Sequence, residues 1–549
     1  MLAKRATGHS PLGAKNTFRL LILALLLLAL SPLGPPAQAA DSPVYPVSGF
    51  FVKASTADAV NSQKLQAIKA VGGDTVITFG SRLTPSSLAG VPADCRIANV
   101  NCVQSATGGV LLNRVFTYSD SSMWGPSAIR CPRDRSINNN NKLFTVLVLP
   151  TTGTGCDAAN NSYDVVVISG GNAPGASAVG SMARAATAQG VKFYAGMPIP
   201  VNRTDLAYLP DMSFKDTFRL FTERYLQYQA AANNVAGLAG FYLSTEMPLK
   251  DSAIFDPILA VYRIQNQAIR SIMPTRGAIV SPYIDSRAAA SGRGTPAQAQ
   301  GGARNIASTA SGIPLSIAVQ DGMGTGKGGA FNGNESGAAV DQFAAAIVGA
   351  GSWGSKYLAP NRDYYLAAAA GVAGTGATLW ANMEGMAPAA GTNPCGANLR
   401  GQTTKGRIDR QLQQMANAPR KIISFMWDTY YTCSGAWVSL AQQLQNGKTT
   451  PIVTDASFNA GSGSLLVTGF NLSGARIELR WTTAAGVVQS KTVTASSYNP
   501  LFGRQQGLNP VLQRIGANVG VTSLGAGKYY MVKVTNGWGV VNPFYAKTG

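Results

Sequence analysis

Histidine is almost missing: the 549-residue chain has one, His9, near its start. Without a second histidine, Ser-His-Asp and Cys-His catalysis, His-ligated zinc and a histidine general base are all excluded from the body of the chain. Acidic residues are also scarce, 25 against 45 Lys and Arg, and only five of them are glutamates. No G-x-S-x-G elbow and no C-x-x-C pair occurs, which argues against a serine-hydrolase, redox or zinc reading. Gly324-x-Gly326-x-x-Gly329 has dinucleotide-binding spacing but opens no convincing helix, and Gly326-Lys327 lacks the Ser or Thr of a phosphate-binding loop. It reads as a flexible glycine-rich βα loop. Any proton chemistry therefore falls to carboxylates or to a bound metal.

Long apolar runs are absent too, apart from the eleven residues Leu20 to Leu30. That is short of the roughly 20 needed to span a bilayer. Lys4, Arg5, Lys15 and Arg19 precede or enter the run, prolines 32, 35 and 36 follow it, and Ala37-Gln38-Ala39 is a small-residue cleavage motif. Residues 1–39 thus read as a signal peptide, with a secreted or periplasmic mature chain and no stable membrane insertion after its removal. The six cysteines all lie beyond it. An even count in an exported chain favours disulfides. Sequence neighbours suggest Cys95–Cys102, Cys131–Cys156 and Cys395–Cys433, among fifteen possible connectivities.

The formal charge of the whole chain is +20. Such a balance suits an anionic partner: an acidic polysaccharide or a cell envelope. Nucleic acid is the poorest of these fits, because no dense Lys/Arg block with interleaved aromatics is present.

From residue 46 short apolar runs alternate with helical patterns. Strands are predicted at Val47 to Lys53, Asp74 to Phe79, Val191 to Met197, Leu238 to Leu243, Gly277 to Tyr283, Leu315 to Val319, Ala377 to Ala381 and Ile422 to Met426. Helices are predicted at Ser62 to Val71, Ser177 to Gln189, Thr217 to Asn233, Pro257 to Ile272, Val340 to Val348, Tyr364 to Val372, Ile408 to Met415 and Trp437 to Leu444. Residues 84–176 break the rhythm with four cysteines and two strand-like runs, so they read as a cystine-stapled insertion after the second strand. Eight strands with helices fit an α/β fold, a (β/α)8 barrel over residues 40–449; an open doubly wound sheet is the alternative. Residues 450–549 change to alternating strands punctuated by Gly, Asn and Ser, and read as an all-β, immunoglobulin-like sandwich.

Reactive side chains of such a barrel sit at the C-terminal ends of its strands. The fourth predicted strand runs out to Glu246, the fifth to Asp285, the sixth to Gln320-Asp321, the seventh to Glu384 and the eighth to Asp428. Five successive strand ends carrying a carboxylate, in a chain this poor in acids, form a candidate site. Glycosidic cleavage needs one carboxyl group to protonate the leaving oxygen and a second to attack the anomeric carbon or activate water, with no histidine or cofactor. The fourth and seventh strand ends lie roughly across a barrel mouth, which makes Glu246 and Glu384 the catalytic candidates. Tyr242, Tyr283, Trp380 and Trp427, with Tyr430 and Tyr431, flank the same ends and offer faces for sugar rings. Asn382, Gln320 and Asp285 offer polar partners for hydroxyls; Asp285, Asp321 and Asp428 could orient sugar or raise the acid's pKa. Arg287 and Lys327 are candidate handles for an acidic sugar.

The segments Gly240 to Glu246, Ser281-Pro-Tyr283, Ile317 to Gly322, Leu379 to Glu384 and Ile423 to Asp428 resemble a family named domain of unknown function 4434. The resemblance spans residues 46–445 outside the insertion. It implies a secreted TIM-barrel glycosidase. By similarity to retaining barrel glycosidases, Glu246 takes the acid/base role and Glu384 the nucleophile role. Thr245 departs from the Asn that usually precedes the acid/base. Two rival readings use the same groove: a non-catalytic carbohydrate-binding or scaffold protein of an envelope polysaccharide system, and a Ca²⁺- or Mg²⁺-dependent enzyme built on the aspartates.

Overall fold

A computed structural model describes residues 42–548 except 121–123, 154, 170–176, 389–394, 397–398, 460 and 522–526. The proposed signal peptide and His9 lie outside the described residues.

Eight parallel strands close into a barrel: β1 (Val47–Phe51), β2 (Thr75–Ile77), β3 (Lys192–Gly196), β4 (Leu238–Tyr242), β5 (Gly277–Val280), β6 (Leu315–Gln320), β7 (Thr378–Glu384) and β8 (Lys421–Phe425), with β8 pairing back onto β1. Parallel strands buried on both faces need apolar residues at nearly every position. Stretches such as Gly277-Ala-Ile-Val280 supply them, burying every residue except the first. Phe51, Ile77, Tyr242, Ile279, Ala318, Trp380 and Ile423 fill the interior. Helices cover the outside, and each presents an apolar stripe to the strands. Asp256–Ile272, for example, buries Ile258, Leu259, Val261, Tyr262 and Ile269. Pro257 in its first turn fits the helical φ and sacrifices no internal hydrogen bond there.

The sequence reading missed the helix Pro296–Ala307 between β5 and β6. Its Ala/Gly/Gln-rich face carries little apolar periodicity. It is held instead by a capping box between Thr295 and Gln298 and by a tight packing seam against the helix Asn361–Val372, where Gly371 lies close to Gln300 and Ala303.

The insertion after β2 is a five-stranded mixed sheet, in the order Leu83–Ser86, Leu111–Ser119, Ser162–Ser169, Lys142–Pro150, Arg135–Asn139. Two of the three disulfides, Cys95–Cys102 and Cys131–Cys156, lie in it; the third is Cys395–Cys433. The sheet docks on the helix Lys215–Ala232. Trp124 stacks against Phe221 and Tyr228 with ring centroids 5.7 and 5.0 Å away, and the buried ion pair Arg224–Asp134 crosses the same contact. This docking carries the end of the strand Leu111–Ser119 to the barrel mouth.

The C-terminal residues form two four-stranded antiparallel sheets around a shared core of Val467, Ile477, Leu479, Trp481, Ile515, Val532 and Tyr545. This sandwich sits against the barrel through Arg362, which pairs with Asp455 at 2.9 Å, and through Asn417, which bonds Thr468. Among the described residues, no helix is long and apolar enough to cross a membrane.

Candidate active site

At the C-terminal end of the barrel a cavity of about 940 Å³ opens, lined by both Glu246 and Glu384. Its wall draws on the ends of all eight strands, and on Tyr118 and Asp120 from the insertion.

Glu384 ends β7. Side chains alternate along a strand, so Trp380, Asn382 and Glu384 share the inward face at three successive depths. Glu384 is 3% exposed, and burial pushes its pKa above the ordinary carboxylate value. Hydrogen-bond donors oppose that shift. The Thr325 amide donates to Oε2 at 2.7 Å, the Thr325 hydroxyl lies 3.2 Å from Oε2 and 3.3 Å from Oε1, and the Gly324 amide and the Lys327 charge add to them. These donors come from the glycine-rich loop after β6. A Cβ on Gly324 would lie 2.8 Å from the Cβ of Glu384, and Gly322 turns the chain at φ +69°. The glycines thus let backbone amides reach a carboxylate, and this loop, first read only as flexible, is a cradle for Glu384.

Glu246 stands four residues beyond β4. Its side chain is exposed to the cavity. Desolvation raises its pKa, and the Glu384 charge pushes the same way. Tyr242 donates its hydroxyl to Oε1 at 3.1 Å, and the Gln320 side chain also hydrogen-bonds the carboxyl. Gln320 is itself fixed by its amide donating to Ser281 O at 2.8 Å.

The remaining candidates divide. Tyr283, Gln320 and Asn382 line the cavity, as does Thr245, whose hydroxyl is buried with no hydrogen-bond partner among the described residues. Asn382 donates to the Ser281 hydroxyl at 2.9 Å, and its buried Oδ1 has no hydrogen-bond partner among the described residues. Tyr242 touches the site through Glu246. Asp321 lies behind Glu384, fully buried; it accepts from the Met323 amide at 2.9 Å and the Gln411 side chain at 2.8 Å. Burial, and then the Glu384 charge, raise the Asp321 pKa well above the usual range.

Asp285 is gripped by Arg287 at 2.8 and 2.6 Å, and Asp428 by Lys64 at 2.7 Å and the Lys53 amide at 2.6 Å. Those pairings leave Asp285, Asp428 and Arg287 outside the cavity lining. Among the described residues, no group of three or more His, Cys, Asp or Glu side chains is placed to hold a metal ion, so the aspartates do not gather as the metal reading requires.

Both tryptophans lie away from the cavity wall. Trp380 is four residues, about 13 Å of strand, below Glu384. It fills the barrel against Tyr194, with centroids 6.2 Å apart. Trp427 turns outward and packs on Phe50 and Tyr431 at 5.1 and 5.8 Å. Nearness in sequence was not nearness to the mouth.

The exposed aromatic faces of the cavity belong to residues the sequence reading passed over. Phe79 is 42% exposed and Tyr208 54%. Phe79 follows β2 as Glu384 ends β7, so the strand-end rule could have found it. Tyr208 sits in a βα loop with no such signal. Lys327 rides 3.8 Å over the Tyr283 ring, and burial lowers its pKa.

No curated protein matches the chain in sequence. Among solved structures it is distantly similar to glycoside hydrolases. One is a Bacteroides thetaiotaomicron protein provisionally described as an alpha-L-fucosidase (14% identity, TM-score 0.41, covering 76% of this chain and 97% of that one). Another is a glycoside hydrolase family 5 protein from Bacteroides vulgatus (9%, 0.35, 86% and 88%). A third is a chitinase from Bacillus thuringiensis (10%, 0.33, 91% and 84%). Residues 172–435, which hold β3 through β8, match the model of the family described as Domain of unknown function (DUF4434), and the chain carries that domain.

Proposed function

We propose that this chain hydrolyses glycosidic bonds of an extracellular or periplasmic polysaccharide, with Glu246 as general acid/base and Glu384 as nucleophile. The supporting observation is that two glutamates from opposite sides of one barrel face one cavity in unlike surroundings. Glu246 meets the cavity directly, and desolvation raises its pKa, the direction that suits a proton donor. Glu384 is clasped by amide and hydroxyl donors that fix its carboxyl group and oppose the rise in pKa its burial causes. This is the pairing of roles that two-carboxylate cleavage requires.

The order of events follows from those positions. A sugar ring enters past Phe79 and Tyr283, which line the cavity. Glu246 protonates the glycosidic oxygen as Glu384 attacks the anomeric carbon. The leaving group departs with that proton, and Glu246, now a base, takes one from the water that releases the glycosyl group. Glu246→Gln and Glu384→Gln should each abolish reducing-end release from a susceptible glycan without lowering the melting temperature. Full activity in either variant rejects the assignment.

A further inference from the structure

We propose that the cavity contains a subsite for an anionic sugar, in which the Arg82 guanidinium receives the acid group and the Tyr208 ring underlies the pyranose. This rests on the glycan reading above and names the substrate class.

Arg82 lies beyond β2 on the cavity wall. Its backbone bridges Ile199, and its Nη1 donates to the Pro200 carbonyl at 2.7 Å and to the Asn202 side chain. Both partners are neutral. Nη1 is thereby fixed, while Nε and Nη2, the edge that binds a carboxylate or sulfate through two parallel hydrogen bonds, have no partner among the described residues. Elsewhere in the molecule this edge is used: Arg184 grips Asp58 and Arg287 grips Asp285 through Nε and Nη2. At Arg82 no carboxylate contributes. Partial burial alone acts on its charge, lowering its pKa, and neither Glu246 nor Glu384 offsets it. The cation thus sits on the wall of the cavity that holds Glu246 and Glu384, with its pairing edge open.

The loop after β3, which holds Nη1 of Arg82, delivers the platform. Asn202, held by Arg82, donates in turn to the Ala207 carbonyl, and the next residue is Tyr208. A tyrosine with more than half its surface exposed on a cavity wall gains from a sugar's apolar C–H face. A second cation, Lys53 at the end of β1, lines the same cavity, and its ammonium forms no ion pair among the described residues. Arg287, a handle expected from sequence, is consumed by Asp285; Arg82 takes its place.

A uronate carboxylate and a sulfate ester are both oxyanions that fit this edge, and a binding experiment separates them. Glu246→Gln protein, full-length and unable to turn over substrate, is titrated with oligogalacturonate, alginate oligomers, their carboxyl-reduced counterparts and a sulfated galactan. An oxyanion-bearing glycan should bind on the order of tenfold to hundredfold tighter than its neutral counterpart, with the advantage shrinking as salt rises. Added Arg82→Gln should erase that preference. Arg82→Lys, which keeps the charge without the two-pronged edge, should retain part of it and guards against a folding defect in the first variant. Tyr208→Ala should weaken charged and neutral glycans alike. Equal affinity for reduced glycans, unchanged preference in folded Arg82→Gln protein, or no binding to any charged member overturns the proposal. Charge-dependent binding without hydrolysis by the unmutated chain would sink the hydrolase reading alone; hydrolysis confined to neutral glycans would sink the subsite alone.

Discussion

Gly324→Ala adds a single methyl group, and the structure says where it must go. The new Cβ would lie 2.5 Å from the Met386 Cγ, 2.8 Å from the Glu384 Cβ and 3.0 Å from its Oε2. The Met386 side chain can rotate aside, but the Glu384 Cβ is fixed by its strand. The loop must therefore lift, at a cost of about 1–3 kcal/mol for overpacking. Lifting it pulls the Thr325 amide from Glu384 Oε2, now 2.7 Å away. A hydrogen bond to a charged group contributes about 1.5–3 kcal/mol, so kcat/KM should fall roughly 10- to 150-fold. The sign of the pH effect follows as well. The lost donor favoured ionised Glu384, so its pKa rises further and the acidic limb of the kcat/KM profile moves to higher pH. The assay is a pH series of initial rates on one susceptible glycan, with Gly337→Ala as control, since nothing lies within 4 Å of that added methyl. A Gly324→Ala enzyme with the original rate and limb would refute the cradle.

Other outcomes follow from the same geometry. The alkaline limb of kcat/KM should fall above the ordinary glutamate range, because Glu246 must hold its proton; with an aryl glycoside whose leaving group needs none, Glu246→Gln should keep far more activity than on the natural glycan, and equal losses on both would exclude the acid role. Asp321 has a raised folded-state pKa, so its neutral form contributes stability that is present at low pH and lost as pH climbs through that value. The melting-temperature advantage of Asp321→Asn over the unmutated chain should therefore grow from pH 5 to pH 8; a constant difference contradicts the buried-acid account. Trp380→Phe should lower stability by about 1–2 kcal/mol while leaving KM within twofold, and a large KM rise would return Trp380 to the binding surface.

Barrel strands were legible because parallel strands buried on both faces write themselves as apolar runs, and Glu384 was legible because β7 ends on it. Glu246 was found by reading past the strand: β4 stops at Tyr242, and the carboxylate lies on the loop. Two kinds of information were not local. Depth along a strand separates Trp380 from Glu384, though both face inward only four residues apart. Walls contributed from afar, Tyr118 and Asp120 from the insertion and Arg82 with Tyr208 from two different loops, depend on docking contacts such as Trp124 on the helix Lys215–Ala232. Pairing also decides availability: Asp285 and Asp428 carry the right charge, but Arg287 and Lys64 hold them. The helix Pro296–Ala307 escaped because capping and small-residue packing, rather than an apolar stripe, secure it.

The division of labour between the two glutamates is tested most directly by azide rescue, with the anomeric configuration of the product read by NMR. Azide added to Glu384→Ala should restore turnover and yield a glycosyl azide of inverted configuration, whereas with Glu246→Ala it should yield one of retained configuration. Wild-type hydrolysis by either variant, or glycosyl azides of the opposite configurations, would contradict the assignment.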